Sequence, residues 1–390
     1  MIHLPGLTNS DLVALTEWRR DLHRHPELSG EERATAARVV AMLHPTQPDS
    51  IVTGLGGHGV AALYDSGTPG PRILLRCELD GLPIQETASH DHRSQTPGKG
   101  HLCGHDGHMT MIAAVARLLG RQRPARGSVV LMFQPAEETG AGAAAVVADP
   151  AFADFRPDYA FAIHNWPGVP LGRAAITAGP VMCASRGMHL RFAGRTAHAS
   201  QPENGLSPMA ALSRLMPALA ALGQGQCGTD PDYALATVCH ARLGEPAFGV
   251  APGEAELFVT LRALTDARME RLVAEAETLA REAAQSDGLA LDIAYEDVFV
   301  TTENTPAAAG IVTRTLHRLN IPHGSDPFPL PGSEDFGRFG GVGTELAMIL
   351  LGSGLDSPAL HNPDFDFPDD LIPIGARLFA GLVEDLTAPA

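Results

Sequence analysis

Residues 103–108 read Cys103, Gly104, His105, Asp106, Gly107, His108, and the adjacent carboxylates Glu137 and Glu138 follow further along the chain. A thiolate, imidazoles and carboxylates make up the usual ligand set of a borderline divalent metal such as zinc. If these groups converge, they can perform metal-assisted hydrolysis, in which a Lewis acid activates water and a carboxylate moves the proton. A lone cysteine is usually a buried apolar filler. Cys103, however, stands where a glycine-rich loop meets a helix start, and a helix N-terminus favours its thiolate. Neighbouring side chains in extended backbone point in opposite directions, so one of Glu137 and Glu138 can bind metal while the other faces the attacking water. The residues themselves leave open which does which.

Other candidates sit beside predicted strand ends, where open α/β sheets place their ligands. In RCELDGLP, Glu78 and Asp80 are either a solvated acidic loop or carboxylates that accept the N–H of a ligating imidazole and fix its tautomer. His164 and His361 are distant from the cluster in sequence. A single histidine is more often a hydrogen-bonding group than a ligand, and these two gain weight only from their positions. His90 and His92, in ASHDHRSQTPGKG, read as solvated loop residues.

The elements that must position these groups follow from periodicity. Leu12, Leu15, Trp18 and Leu22 recur at helical spacing, and that helix ends before Pro26. Ser29 to Glu32 spells a capping box opening a second helix. Strands over 72–77, 128–133 and 159–163 alternate with a helix after His105 and a small-residue helix near 140–148, the pattern of a layered α/β sheet. From about residue 184 the order becomes strand 186–193, helix 207–222, strands 233–241 and 255–263, helix 266–286 and strand 289–295. This β-α-β-β-α-β series is the ferredoxin-like arrangement. A helix at 306–319, a strand at 346–351 and a helix at about 370–386 then resume the first pattern. The expected domains are therefore 1–183 with 297–390, and an inserted 184–296.

The bulk composition excludes several function classes. The 390 residues and 44% apolar content suit two globular domains. A formal net charge of -17 repels nucleic acid and anionic membranes. The start, MIHLPGLTNSDLV, has no basic segment followed by an apolar stretch, and no apolar run is long enough to span a bilayer. Five irregularly spaced cysteines argue against a disulfide framework. The expectation is a soluble cytoplasmic protein.

Taken together, RCELDGLP, GKGHLCGHDGHM, FQPAEETGAGA, AIHNWPGVPLG, GRTAHASQPENG, PGSEDFGRF and LHNPDFDFPDD resemble the M20 metallopeptidases. The resemblance is to their amidohydrolase branch, which includes hippurate hydrolases, N-acyl-amino-acid amidohydrolases and auxin-conjugate hydrolases. It runs from HRHPELSGEE through the last helix. It implies a Zn-peptidase-like mixed-sheet catalytic domain with an inserted ferredoxin-like lid that also dimerises. It also implies two divalent ions (Zn, Mn, Co or Ni), with Cys103, His105, Glu138, His164 and His361 as ligands. Cys103 stands where many relatives outside this branch have a bridging aspartate. On that pattern His105 and His164 complete one metal site, and Glu138 and His361 the other.

By the same resemblance Glu137 is the general base, and His198 in GRTAHAS is a lid histidine that reaches a neighbouring active site to stabilise the oxyanion. Arg262 is a candidate for holding a substrate carboxylate through a bidentate fork, with a surface arginine on an edge strand as its alternative. Close relatives usually have aspartate at Glu78, so its extra methylene counts against a fine role there and leaves Asp80 as the carboxylate behind a ligand. The expected activity is hydrolysis of an N-acyl amino acid to a carboxylic acid and a free amino acid. Its rivals are a small dipeptidase and a non-catalytic binding relative.

Overall fold

The computed structural model describes residues 6–388, so the first residues of the MIHLPGLTNSDLV segment lie outside the described part. The chain divides into two compact units, one formed by residues through Val181, Thr302–Phe328 and from Asp335 onward, the other by Met182–Thr301 and Pro329–Glu334.

The first unit begins with α1 (Asn9–Arg24) and α2 (Arg33–Leu43), then β1 (Ser50–Leu55), β2 (Gly59–Asp65), β3 (Arg72–Glu78), α3 (His105–Arg121), β4 (Ser128–Gln134), α4 (Gly142–Ala148) and β5 (Tyr159–Pro167), with short strands β6 (Ala174–Ala175) and β7 (Gly179–Met182). β3 and β4 are nearly fully buried, as strands covered on both faces are, β4 apolar over residues 129–133 and β3 carrying the buried charges Arg76 and Glu78 among its apolar residues. β3 pairs in parallel with both β4 and β5, so the carboxyl ends of all three open at one edge of the sheet. Glu78 stands opposite Gln134 in register.

The capping signals resolve differently from the sequence reading. The box that forms is Thr8–Asp11 at α1, where the Thr8 hydroxyl and the Asp11 carboxylate exchange bonds with each other's backbone N–H. Such caps are worth about 1 kcal/mol. Asp11 also pairs with Arg117 and Arg121 of α3 at 3.0 and 2.7 Å, tying the two helices together. Ser29 and Glu32 form no capping box. The Glu27 carboxylate caps α2 instead, accepting from the N–H groups of Ala34 and Thr35. Ser29 and Glu32 are directed to buried partners, described below.

The second unit contains β8 (Ala184–Ala193), β9 (Ala197–His198), α5 (Met209–Ala220), β10 (Ala234–Leu243), β11 (Val250–Ala251), β12 (Glu254–Ala263), α6 (Asp266–Ser286) and β13 (Ala290–Phe299). The four long strands form an antiparallel sheet in the order β10-β12-β8-β13, the ferredoxin-like order. In β12, Ala255, Leu257, Val259, Leu261 and Ala263 are buried at period two. They pack in one core with Leu212, Leu215 and Leu219 of α5 and Leu272, Ala276 and Ala280 of α6. β12 lies between β10 and β8, so Arg262 is not on an edge strand.

The chain then returns to the first unit with β14 (Thr302–Asn304), α7 (Pro306–Arg318), β15 (His323–Gly324), β16 (Glu345–Gly354) and α8 (Leu371–Thr387). β16 joins the large sheet parallel to β5, with Leu350 opposite His164, giving the strand order β1-β2-β4-β3-β5-β16-β6-β15. The architecture is the expected one, a mixed-sheet α/β domain with an inserted ferredoxin-like domain. Among the described residues no helix is long and apolar enough to cross a membrane.

Candidate active site

The cluster forms at the carboxyl edge of β3, β4 and β5. Gly104, with φ +93°, lets the chain turn sharply from Cys103 into α3. A Cβ there would lie 2.1 Å from Asn165 Oδ1, so the position has both a backbone and a packing reason for glycine. His105 opens α3 and is fully buried. His164 lies inside β5, which runs past the predicted strand end at 163.

After β4, Ala136 adopts φ +48° and its N–H donates to Glu32 Oε1 at 2.7 Å. At Gly142 a Cβ would lie 1.6 Å from the Pro135 carbonyl oxygen. The loop carrying Glu137 and Glu138 is thus held from both sides. His361 arrives from the far end of the chain with φ +67°, its N–H donating to Leu102 O at 2.8 Å, next to Cys103. Left-handed backbone at non-glycine residues costs of order 1–3 kcal/mol and persists where surrounding structure enforces it.

Two three-donor groups result, and they share the thiol. Donor atoms of Cys103, His105 and His164 all lie within 4.8 Å of one another, as do those of Cys103, Glu138 and His361. Cys103 Sγ is 3.5 Å from His164 Nε2. Glu138 stands between two imidazoles, Oε1 at 3.8 Å from His105 Nε2 and Oε2 at 3.7 Å from His361 Nε2. Glu137 Oε2 lies 3.8 Å from His105 Nε2, alongside the donors.

These residues fit a metal on two counts. The buried Nε2 of His105 has no hydrogen-bond partner, while its Nδ1 sits 2.9 Å from the Asp80 carbonyl oxygen, leaving Nε2 as the lone-pair nitrogen. His164 is oriented in the same way, its Nδ1 donating to Asn165 O at 2.7 Å. Burial holds the pKa of His164 well down and lowers that of His361, keeping both in the neutral form that binds metal. Burial also opposes protonation of His105, but Asp80, Glu78 and Glu138 outweigh it and push its pKa up to about 10. The pocket attracts positive charge. His108 differs, since both its ring nitrogens are taken, Nδ1 by Glu78 Oε2 at 2.7 Å and Nε2 by Asn165 Oδ1 at 2.6 Å.

Asp80 organises two of the donors. Its Oδ2 accepts from Ser29 Oγ at 2.7 Å and from the Glu138 N–H at 3.0 Å, and its Oδ1 lies 3.5 Å from His105 Nδ1. Burial opposes its ionisation, yet these partners keep its pKa below the usual value. Asp80→Asn is expected to weaken metal affinity about 10–100-fold, read by competition with a chromophoric chelator; an unchanged affinity would remove Asp80 from this role.

Several sequence expectations need correction. Glu78 has a definite place: it bonds His108 and pairs with Arg76, which also reaches Asp335 Oδ1 at 2.7 Å and Gln134 Oε1 at 2.9 Å. Its longer side chain serves this buried network and a non-ligating histidine. Burial opposes ionisation of Glu78, and Arg76 and His108 reverse that, holding its carboxyl well below the usual range. His90 and His92 are not free loop residues: His92 is buried, bonded to Asp366 Oδ2 at 2.8 Å, and stacked on the half-buried His90 at 3.8 Å between ring centroids. The roles of Ser29, Glu32, Arg76 and Asp335 were not read from sequence, although HPELSGEE and PGSEDFGRF contain three of them.

His198 and Arg262 belong to the second unit. His198 is exposed, paired through β9 with β11, and its Nδ1 lies 2.8 Å from Ser200 Oγ. Arg262 Nη1 donates to Pro331 O at 3.1 Å and Ser333 Oγ at 2.9 Å.

The chain belongs to peptidase family M20/M25/M40, whose family model matches residues 74–385. It is a metal-dependent hydrolase acting on amides. Over 382 residues it is 31% identical to IAA-amino acid hydrolase ILR1-like 5 of Arabidopsis thaliana, covering 93% of this chain and 84% of that one. It is 29% identical to the hippurate hydrolase of Campylobacter jejuni over 366 residues, 93% and 94% of the two chains. Its fold superimposes on the Bacillus subtilis YXEP protein, described as a dinuclear metal binding peptidase from the M20 family, with a TM-score of 0.82 at 24% identity over 98% of this chain and 100% of that one.

Proposed function

We propose that this protein hydrolyses the amide bond of N-acyl amino acids, releasing a carboxylic acid and a free amino acid. The observation that carries the reading is the pair of donor groups sharing Cys103, with a further carboxylate, Glu137, beside them. The named relatives act on conjugates of amino acids, which gives the substrate class.

Cys103 Sγ, His105 Nε2, His164 Nε2, His361 Nε2 and the Glu138 carboxylate are the residues that would hold two divalent ions. Divalent ions held there supply Lewis acidity toward water and the amide carbonyl. Glu137 accepts the proton of the attacking water and returns it to the departing nitrogen. Ligation and proton transfer need separate carboxylates, because an oxygen committed to a cation is a poor base. Asp80 holds the His105 ring and the Glu138 backbone in place. From the family resemblance, His198 is assigned to the developing oxyanion and Arg262 to the substrate carboxylate. The same resemblance gives dimerisation through the second unit, and the five irregularly spaced cysteines support residence in a reducing cytoplasm.

The test is a substrate panel. Enzyme stripped with a chelator and reloaded with zinc, manganese, cobalt or nickel is assayed on acetylated, benzoylated and indole-acetylated amino acids and on dipeptides. Release of free amino acid from the N-acyl compounds, lost on chelation and restored by metal, is the expected result. Faster cleavage of dipeptides would replace this reading with a peptidase, and turnover indifferent to chelation would overturn the ligand assignment.

A further inference from the structure

A second group of metal-binding side chains lies in the first unit, and none of its donor atoms belongs to the Cys103 cluster. We infer that His23, Glu86, His90 and Asp366 form a separate site for a borderline divalent cation of the zinc, nickel or copper type.

The donors already face one another. Glu86 Oε1 is 3.3 Å from His23 Nε2 and 3.1 Å from His90 Nε2, and His90 Nε2 is 3.8 Å from Asp366 Oδ2. The donor atoms of His23, Glu86 and His90 all lie within 4.8 Å of one another. Two imidazoles and two carboxylates make a four-donor set of the kind zinc takes.

Each donor is also held from behind. His23 Nδ1 lies 2.9 Å from Asp106 Oδ2, the carboxylate–histidine pairing that fixes the tautomer of a ligating imidazole and turns the other nitrogen toward the ion. The second Glu86 oxygen accepts from the Ser94 N–H at 2.7 Å, and Asp366 Oδ1 accepts from Arg19 Nη1 at 2.6 Å. His90 is kept in place by stacking on His92, whose own Nε2 is engaged by Asp366 and by Arg19 Nη2 at 3.0 Å. Both ring nitrogens of His90 are shielded from solvent and have no hydrogen-bond partner.

The carboxylates of Asp106, Asp366 and Asp369 converge on Arg19 at 3.1, 2.6 and 2.9 Å, and Asp369 also pairs with Arg20 at 2.8 Å, so the arginines anchor the wall behind the donors. The His90 side chain is 22% exposed and Asp366 30%, so an ion can enter from solvent without unfolding. Asp106 and His105 are neighbours at the start of α3, yet Asp106 serves this cluster and His105 the other.

The test counts metal in the full-length protein. Wild type, His90→Ala, Glu86→Gln and Cys103→Ala are dialysed to equilibrium against zinc, and bound zinc is measured by plasma emission. His90→Ala and Glu86→Gln are expected to hold one equivalent fewer than wild type, whatever number the Cys103 cluster holds. Cys103→Ala is expected to retain this equivalent, so failure of the catalytic reading and failure of this one are separable. A zinc-edge anomalous map should show a peak bounded by His23, Glu86 and His90. Should Glu86→Gln fail to fold, the partly exposed His90 still carries the test. Equal zinc content in wild type and His90→Ala, with no anomalous peak among these residues, would overturn the proposal and leave a purely structural ion-pair cluster.

Discussion

Replacing Glu137 with glutamine is expected to lower turnover of an N-acyl amino acid by about 10²–10⁴-fold, the usual contribution of a positioned general base, while zinc uptake at equilibrium stays at the wild-type level. Glutamine preserves the size of the side chain and removes only its ability to accept a proton. The contrast with Glu138→Gln makes the result specific. Glu138 spans the gap between His105 and His361 at 3.8 and 3.7 Å, so its loss should reduce metal content as well as turnover. Glu137→Gln with undiminished kcat would mean that another group moves the proton. The same variant with lost metal would mean that the two glutamates have exchanged roles.

The largest effect on stability is expected at Arg76. Its guanidinium is fully buried in β3 and pairs with Glu78 and Asp335, themselves no more than 1% exposed. Arg76→Ala should cost about 3–5 kcal/mol, because it leaves two carboxylates buried without their cation. Denaturant midpoints of wild type and variant measure it. An exposed pair such as Arg191–Asp292, at 50% and 66% side-chain exposure, provides the control, where loss of the arginine should cost less than about 1 kcal/mol. A similar small cost at Arg76 would show that water reaches the network. Asp335 also accepts from Gln134 Nε2 and the Ala143 N–H, both at 2.8 Å, so the same disturbance should spread to the loop bearing Glu137.

The long elements were legible because their apolar residues recur with the period of the structure that buries them. β4 is a short continuous apolar run, β3 has an apolar stretch over residues 73–75, β12 alternates, and α6 keeps one apolar face. The hairpin β1–β2 gave no such signal, since Gly54, Gly56 and Gly57 interrupt it and the Ser50–Leu55 strand is mostly exposed or half-buried. At the site, candidate donors were found by their position after strands, since chain direction in a parallel sheet carries those ends to one edge. Groups that work through long-range contacts were invisible. Ser29 was read as a local helix cap, yet it bonds Asp80, and His90 and His92 were read as solvated because their segment is polar. Polar composition reports that water is tolerated nearby, and it cannot reveal that carboxylates from distant segments close over the ring.

His361 reaches the cluster only after the chain has passed through the whole inserted unit, whereas Cys103, His105, Glu138 and His164 precede that insertion. During synthesis the nascent chain therefore carries four of the five candidate ligands for the entire time needed to make the second unit. An ion captured early would be held by an incomplete set, open to exchange with the cell's metal pool. On the proposed ligand set, commitment to a metal would come late, when the Leu102 carbonyl receives the His361 N–H and the two separated stretches of the first unit are clasped together.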